Sequence, residues 1–194
     1  MKEALVIGRP NVGKTLFTLN FAEFLGQHRV EVMFRPRGAA SYTRVYSVPQ
    51  ARAELVDDSP HRTLGLQSVV IKVPRGKSLR KVVLTDSTGL TDDIHPASTI
   101  RMAMADTLRE VADAAFILHL VDPAEEVVGV DLDILRYGQT QEGYVVLANK
   151  IDLPERAGKA PDLVRQAAPA PVIPVSALTR EGFREVRGFV RRRL

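Results

Sequence analysis

The stretch Gly8-Arg9-Pro10-Asn11-Val12-Gly13-Lys14-Thr15 directly follows the apolar run of residues 4–7. It matches the pattern G-x-x-x-x-G-K-[ST], which requires a buried strand before it and a helix after it. In such a loop, backbone N–H groups wrap a chain of phosphates, and the N-terminus of the helix adds partial positive charge. The pattern predicts that Lys14 reaches the phosphates and that the Thr15 hydroxyl binds Mg²⁺. The predicted phosphate-binding residues are Asn11, Val12, Gly13, Lys14, Thr15 and Leu16.

Length and composition predict one self-sufficient domain over residues 1–194. A chain of this size buries a substantial core without disulfides or structural metals. It contains no cysteine, which excludes a disulfide framework and a thiolate zinc site. No apolar run approaches the roughly 20 residues of a membrane span, and no signal peptide precedes the first strand. We therefore expect a cytoplasmic protein without a transmembrane segment.

Positive charge is concentrated in one part of the chain. The net charge is +4, but residues 28–82 contain eleven Lys/Arg against four Asp/Glu, which gives +7 there and −3 elsewhere. Such a surface can attract nucleic acid or an acidic partner. It is more often typical of a solvated loop and strand edge, which is the interpretation that the sequence favours, with a binding surface as the alternative.

Apolar spacing predicts strands that alternate with helices. The predicted strands span residues 4–7, 67–73, 80–85, 115–121, 144–148 and 172–175, with 67–73 and 80–85 as a hairpin at one sheet edge. The predicted helices span residues 15–25, 96–112, 125–137, 154–167 and 179–194, the last with Thr179 as its N-cap. Proline and glycine interrupt residues 28–66, which we expect to form an irregular insertion. The alternation predicts a three-layer α/β/α fold whose six-stranded sheet is mostly parallel, with one antiparallel edge strand.

Three further motifs follow predicted strands, where ligands bind in open α/β sheets. In Asp86-Ser87-Thr88-Gly89, the acid can hold Mg²⁺ and Gly89 lets a backbone N–H approach a phosphate. In Asn149-Lys150-Ile151-Asp152, the carboxylate of Asp152 can accept two hydrogen bonds from guanine, whereas adenine offers no such donor pair. In Ser176-Ala177-Leu178, a backbone N–H can contact a base carbonyl.

With all four motifs in order, the sequence resembles the small GTPases of the translation-factor-related class, and more narrowly the bacterial Era-like branch, whose phosphate loops often read G-x-P-N-V-G-K-[ST]. The resemblance covers nearly the whole chain. It implies a P-loop NTPase G domain that binds Mg²⁺ with GTP or GDP and hydrolyses GTP slowly. It also implies that Asn149 and Asp152 recognise guanine, that Lys150 packs along the base, and that the Ala177 N–H contacts the guanine oxygen, with Ser176 and Leu178 beside it.

The family's Mg²⁺-sensing threonine is harder to assign, because it is a single residue in a variable loop. The family spacing favours Thr63, which lies 86 − 63 = 23 positions before Asp86, and Thr43 is the alternative. The resemblance thus gives Thr15, Thr63 and Asp86 as metal ligands. Neither threonine is required by the residues alone.

The chain departs from the Ras-like pattern in its catalytic residues. Leu90 stands where Ras-like enzymes have a water-orienting Gln, and leucine cannot hold a water by hydrogen bonding. In potassium-stimulated relatives the residue matching Asn11 helps bind K⁺, although Asn11 can equally brace the loop. The expected catalytic residues are therefore Lys14, Asn11, Thr63 and Gly89, without a side-chain base.

Alternatives in function remain open at this stage. A nucleotide-dependent scaffold with little hydrolysis would carry the same motifs. An unknown protein effector, RNA or the ribosome, and a nucleotide-dependent dimer are candidate partners. His119 lies in a predicted buried strand and is expected to be a core residue with satisfied hydrogen bonds.

Overall fold

The structure, a computed structural model, describes residues 1–36, 40–56, 65–86 and 114–194. Its strands are β1 (Lys2–Ile7), β2 (Arg29–Pro36), β3 (Tyr42–Ser47), β4 (Gly65–Arg75), β5 (Ser78–Asp86), β6 (Phe116–Val121), β7 (Tyr144–Ala148) and β8 (Val172–Pro174). Its helices are α1 (Lys14–Phe24), α2 (Val48–Leu55), α3 (Gly129–Gly138), α4 (Pro154–Ala167) and α5 (Phe183–Arg193). None of these helices is both long and apolar enough to cross a membrane.

The described strands form one sheet in the order β3-β2-β4-β5-β1-β6-β7-β8. Strands β5, β1, β6, β7 and β8 pair in parallel. The pairs β2–β3, β2–β4 and β4–β5 are antiparallel. The predicted α/β class is confirmed, but the strand number was wrong: eight strands are described rather than six. Two of them, β3 and β4, run against the rest, instead of one edge strand.

The described part of the segment predicted as an irregular insertion is largely regular. Residues 29–36 and 42–47 form an antiparallel pair, and α2 begins with a capping box in which Ser47 Oγ accepts from the Gln50 N–H and Gln50 Oε1 accepts from the Ser47 N–H. Pro49 lies in the first turn of α2, where it removes no helical hydrogen bond. The predicted hairpin of β4 and β5 is also not at the edge, because β4 pairs with β2 on its other side.

Two apolar clusters cover the two faces of the sheet. One contains side chains of α1, α2 and α5. In it, the rings of Phe17 and Phe21 stack on each other and meet Phe183 edge to face, with ring centroids 5.3–5.6 Å apart. The other contains side chains of α3 and α4. The predicted three-layer arrangement is therefore confirmed in the described residues, and β1 and β6 form the buried centre of the sheet.

Some predicted helix boundaries were wrong. The last helix begins at Phe183 with Gly182 as its N-cap, not at Thr179, because Gly182 adopts a left-handed φ of 76° that ends the preceding turn. The helix predicted from residue 125 begins at Gly129, since residues 125–128 belong to the loop after β6. The helix predicted at 96–112 lies outside the described residues.

Candidate nucleotide-binding site

The phosphate loop runs from the end of β1 to the start of α1, and two glycines permit its path. Gly8 has φ 140°, and a Cβ there would collide with the carbonyl oxygen of Leu120 in β6. Gly13 has φ 97°, and a Cβ there would lie 2.7 Å from Nδ2 of Asn149. Larger residues are thus excluded by contacts with Leu120 and Asn149 as well as by backbone conformation.

Lys14 is held inside this loop. Its Nζ donates to the carbonyl oxygens of Gly8, at 2.9 Å, and Arg9, at 2.8 Å, and the residue is 7% exposed. Burial lowers the pKa of the Lys14 ammonium, while the negative charges of Asp86 and Asp131 oppose that shift. The ammonium group therefore lies inside the loop, held by its backbone carbonyl groups.

Thr15 and Asp86 meet beside Lys14. Thr15 Oγ1 donates to Asp86 Oδ2 at 2.6 Å, which joins the start of α1 to the end of β5. The other carboxylate oxygen, Oδ1, is buried and has no hydrogen-bond partner in the structure as described. Burial raises the pKa of the Asp86 carboxyl above its ordinary value, although the charge of Lys14 and the hydrogen bond from Thr15 reduce that shift. In the described structure, the carboxylate oxygen Oδ1 of Asp86 is therefore available to a ligand, next to the Thr15 hydroxyl and the Lys14 ammonium.

The asparagine of the third motif braces two loops. Asn149 Nδ2 donates to the Val12 carbonyl at 2.7 Å, and Asn149 Oδ1 accepts from the Ala177 N–H at 2.8 Å. Asn149 is 1% exposed. Both its amide atoms and the Ala177 N–H, which were expected to face a base, are bonded within the protein. The tertiary contact between the phosphate loop and the loop after β8 produces this difference.

Asp152 lies on the more open side of the same region. Ser176 Oγ donates to Asp152 Oδ1 at 2.7 Å and accepts from the Thr179 N–H at 3.0 Å. Asp152 is half-buried, and the neighbouring Leu178 is 66% exposed. One serine thus orients the Asp152 carboxylate and also shapes the turn that carries Ala177.

Asp122, which directly follows β6, was missed as a site residue. It is 2% exposed and accepts from the Ala124 N–H at 3.0 Å, from Lys150 Nζ at 3.0 Å and from Arg156 Nε at 3.0 Å. Burial alone would raise the pKa of the Asp122 carboxyl, but these three donors outweigh it and hold the pKa below its ordinary value. Asp122 fixes Lys150, whose φ is 65°. The sequence signal that could have found it is an acid at the carboxyl end of a buried strand.

A chain of buried polar groups extends from the phosphate loop into the core. Arg9 Nε lies 3.1 Å from Asp131 Oδ2, His119 Nε2 lies 3.2 Å from Asp131 Oδ1, and His119 Nδ1 lies 2.6 Å from the Tyr144 hydroxyl. His119 is fully buried, so the prediction of a satisfied core histidine is confirmed. These contacts join Arg9, and therefore one side of the phosphate loop, to α3.

The remaining predicted residues differ in position. Asn11 is exposed with φ 58°, and Leu16 is partly buried against the core beneath α1. Thr43 lies on the edge strand β3, three strands from β5, which is about 14 Å at ordinary strand spacing. The structure therefore does not bring Thr43 beside Thr15. Thr63 and Gly89 lie outside the described residues.

The sheet order, the glycine-bounded loop and the acid beside it define a P-loop nucleotide-binding domain. A family model described as 50S ribosome-binding GTPase matches residues 45–150, more than half of the chain. The chain belongs to this family of GTPases. The match begins after the phosphate loop, so loop and family model support the assignment independently.

Individual proteins agree with this class. The sequence is 28% identical to GTPase Obg of Bacillus velezensis over 118 residues, which are 55% of this chain and 27% of that one. The structure resembles the G domain of the Thermotoga maritima FeoB iron transporter, with TM-score 0.57, 18% identity and coverage of 100% and 98% of the two chains. It also resembles Era in complex with MgGDPNP and part of 16S ribosomal RNA, with TM-score 0.60, 18% identity and coverage of 100% and 56%. These structures confirm the P-loop GTPase fold, while the chain matches only about a quarter of the length of Obg.

Proposed function

We propose that this domain is a guanine-nucleotide switch that binds Mg²⁺·GTP and slowly hydrolyses it to GDP and phosphate. The observation that carries the proposal is the contact between Thr15 and Asp86 at 2.6 Å, directly beside the buried ammonium of Lys14. It joins a hydroxyl, a carboxylate and a cation at the end of a loop suited to phosphates. Loss of the terminal phosphate would then be sensed by the chain that follows Asp86.

The residues present fit a magnesium ion. Asp86 Oδ1 is buried without a hydrogen-bond partner in the described structure, and Thr15 Oγ1 donates to the other oxygen of the same carboxylate. Hard oxygen ligands of this kind are those that Mg²⁺ prefers. We assign Thr15 and Asp86 to the ion, with Thr63 as a further predicted ligand. Bound there, the ion would neutralise charge on the phosphates.

The chain's own contribution to the chemistry is positioning and charge. Lys14 would exchange the carbonyl oxygens of Gly8 and Arg9 for phosphate oxygens, an exchange of neutral for charged acceptors. The N–H groups of the loop, and that of Gly89, would hold the phosphate oxygens. No side-chain base is among the proposed catalytic residues, which agrees with a slow intrinsic rate.

Guanine selectivity is assigned to Asp152. Ser176 orients its carboxylate, and the half-buried position leaves it accessible to a base. Asn149 acts in our proposal by holding the phosphate and base loops together, since its amide atoms bond Val12 and Ala177. Lys150 would pack along the base while Asp122 holds its ammonium.

A monovalent cation, K⁺, is proposed at Asn11. The side chain is exposed on the loop, and none of the described hydrogen bonds involves it. A cation there would supply positive charge near the phosphates in place of an arginine finger. We also propose that the domain forms a nucleotide-dependent dimer through the face that carries Asn11. In such a dimer, the second copy would supply a catalytic group that this chain lacks.

We further propose RNA or the ribosome as the partner class, and the cytoplasm as the location. The family description and the Era complex with ribosomal RNA support this partner. A nucleotide-dependent scaffold with little turnover is the alternative function, because the water-orienting Gln of Ras-like enzymes is replaced by Leu90.

The first test is single-turnover phosphate release from GTP and ATP in matched KCl and NaCl buffers with Mg²⁺, together with GDP titration. We expect turnover of GTP alone, faster in K⁺ and slowed by Asn11→Ala. Asp152→Ala should lower GDP affinity by roughly tenfold or more, because two charge-assisted hydrogen bonds are removed. Asp162→Ala, on the exposed face of α4, is the matched control. Tight GDP binding without turnover in either salt would favour the scaffold, and equal use of ATP would contradict guanine selectivity.

A further inference from the structure

The turn between β4 and β5 carries a group of cations that the nucleotide site does not use. Between Gly65 and Thr85 the chain contains five Lys/Arg and no Asp/Glu. All five lie exposed near the turn, and we refer to them as the basic hairpin: Lys72, Arg75, Lys77, Arg80 and Lys81. No ion pair involves any of them in the described residues, whereas Arg9, Arg52, Arg156 and Arg180 all have acidic partners.

The pairing of the strands makes this arrangement unfavourable for the fold. Lys72 and Lys81 are direct cross-strand partners in the antiparallel ladder, on the same face of the sheet. Like charges in this position destabilise a sheet, and neighbouring acids normally compensate for them. A repulsive pair for which the described residues supply no compensating acid is a local conflict of the kind that accompanies function.

The basic hairpin lies at the end of the sheet opposite the nucleotide site. Strand β5 leads from Ser78 at the turn to Asp86 at the site, a length of about 26 Å at the rise of a β-strand. The cations therefore do not contribute to phosphate binding in the loop. They form a separate surface on a two-stranded element. Lys72 and Lys81 lie on one face of it, while Arg80 is paired with Val73 and lies on the other face.

The composition of the basic hairpin indicates which class of anionic partner it fits. Residues 65–86 contain no aromatic residue, so the hairpin offers no ring on which an unpaired base can stack. Leu79 is the one large apolar side chain exposed at the turn, which is too little apolar surface for insertion into a lipid bilayer. Five charges along a two-stranded ribbon instead match the closely spaced phosphates of a double helix.

We propose that the basic hairpin binds the phosphate backbone of double-helical RNA. This inference rests on the RNA partner in the proposed function and locates its contact surface at the end of the sheet distant from the nucleotide. Contacts of this kind position the protein on a duplex and do not read its sequence.

The experiment uses the full chain loaded with GDP and a fluorescein-labelled RNA stem-loop of about 16 base pairs, followed by anisotropy between about 50 and 200 mM KCl. The test variant is Lys72→Gln, Arg80→Gln and Lys81→Gln combined. The control variant is Arg136→Gln, Lys159→Gln and Arg165→Gln combined, which removes the same charge from exposed positions on α3 and α4. Binding of a fluorescent GDP analogue is measured on each variant.

We expect the RNA affinity of the test variant to fall at least about tenfold, and the salt slope of log K to become shallower by about 3, since each removed cation leaves one phosphate without its neutralising partner. The control variant should keep most of the affinity and slope, and both should bind GDP as the parent does. A single-stranded RNA of equal length should bind more weakly than the stem-loop.

Three results would overturn the proposal. These are equal decreases in RNA affinity in the two variants, equal binding of single-stranded RNA, or binding to phosphatidylserine vesicles with none to the stem-loop. Failure of GDP binding with intact RNA binding would instead contradict the nucleotide switch and leave the basic hairpin supported. The experiment therefore distinguishes a failure of the RNA-binding proposal from a failure of the nucleotide-switch proposal.

Discussion

The two ends of the sheet use cations in opposite ways. At the phosphate-loop end each cation has a fixed partner: Lys14 holds two carbonyl oxygens, Arg9 contacts Asp131, and Lys150 and Arg156 contact Asp122. At the basic hairpin, five exposed cations have no acidic partner in the described structure. Sequence composition does not separate these groups, because both consist of the same residue types.

The difference lies in what desolvation does to a charge. A buried cation is costly unless hydrogen bonds hold it, so the loop end has one defined geometry that can select a ligand. Exposed cations cost little, are screened by salt and act over about 10 Å. We therefore expect effects at the loop end to depend on geometry, and effects at the basic hairpin to depend on ionic strength.

The largest effect is expected from Lys14→Ala. Because the ammonium is already positioned in the loop, its removal should weaken GDP and GTP binding by roughly ten- to a hundredfold, the strength of charge-assisted hydrogen bonds. Stopped-flow binding of a fluorescent GDP analogue measures this. Lys159→Ala, an exposed lysine on α4, is the control, and equal affinities of the two variants would contradict the assignment.

Asp122→Asn should lower the free energy of unfolding by about 2 kcal/mol at pH 7, since Lys150 and Arg156 lose their shared buried carboxylate. The folded pKa of Asp122 is lowered, so its stabilising effect is present above the ordinary carboxyl pKa and is lost as the pH falls through the folded value. Urea unfolding should thus show a gap between parent and variant that narrows below about pH 4. Asp162→Asn is the exposed control, and a gap that stays constant down to about pH 3 would contradict the role of the charge.

Tyr144→Phe tests the buried chain behind Arg9. The change removes the hydroxyl that contacts His119 Nδ1, so we expect a decrease of about 1 to 2 kcal/mol in unfolding free energy. GDP affinity should change little, because Asp131 retains its contact with Arg9. Tyr137→Phe provides the comparison, since no described hydrogen bond involves the Tyr137 hydroxyl. Equal stability of both variants would show that the hydroxyl contributes nothing.

The smallest effect, and one of opposite sign, is expected from Lys81→Glu. The introduced carboxylate would face Lys72 across the ladder and replace repulsion by attraction, which should raise the unfolding free energy by about 0.2 to 1 kcal/mol. RNA binding should fall in the same variant. Lys81→Gln is the control, because it removes the repulsion of Lys72 without adding an attractive carboxylate. A Glu variant no more stable than the Gln variant at low salt would show that these side chains do not interact.

Much of the site was predictable from the sequence because its residues occur in short contiguous patterns. The glycines, Lys14 and Thr15 stand at fixed spacing, and Asp86 follows a recognisable strand. Asp122 was missed because its one sequence signal, a position directly after a buried strand, is not specific, and the donors around it meet only in the folded protein. Residues 29–36 and 42–55 were mispredicted because proline interrupts the apolar pattern of this part of the chain, although Pro49 begins a helix rather than ending one.

By itself, the sequence determined the class of the domain, the alternation of strands and helices in its parallel half and the loop that holds Lys14, since these depend on local spacing and backbone chemistry. Only the tertiary structure decided that β2 and β3 extend the sheet to eight described strands, that Asn149 joins two loops, and that the hairpin cations stand apart from the site. The physical reason is that strand pairing, burial and ion pairing depend on residues far apart in the chain. No local pattern records those contacts.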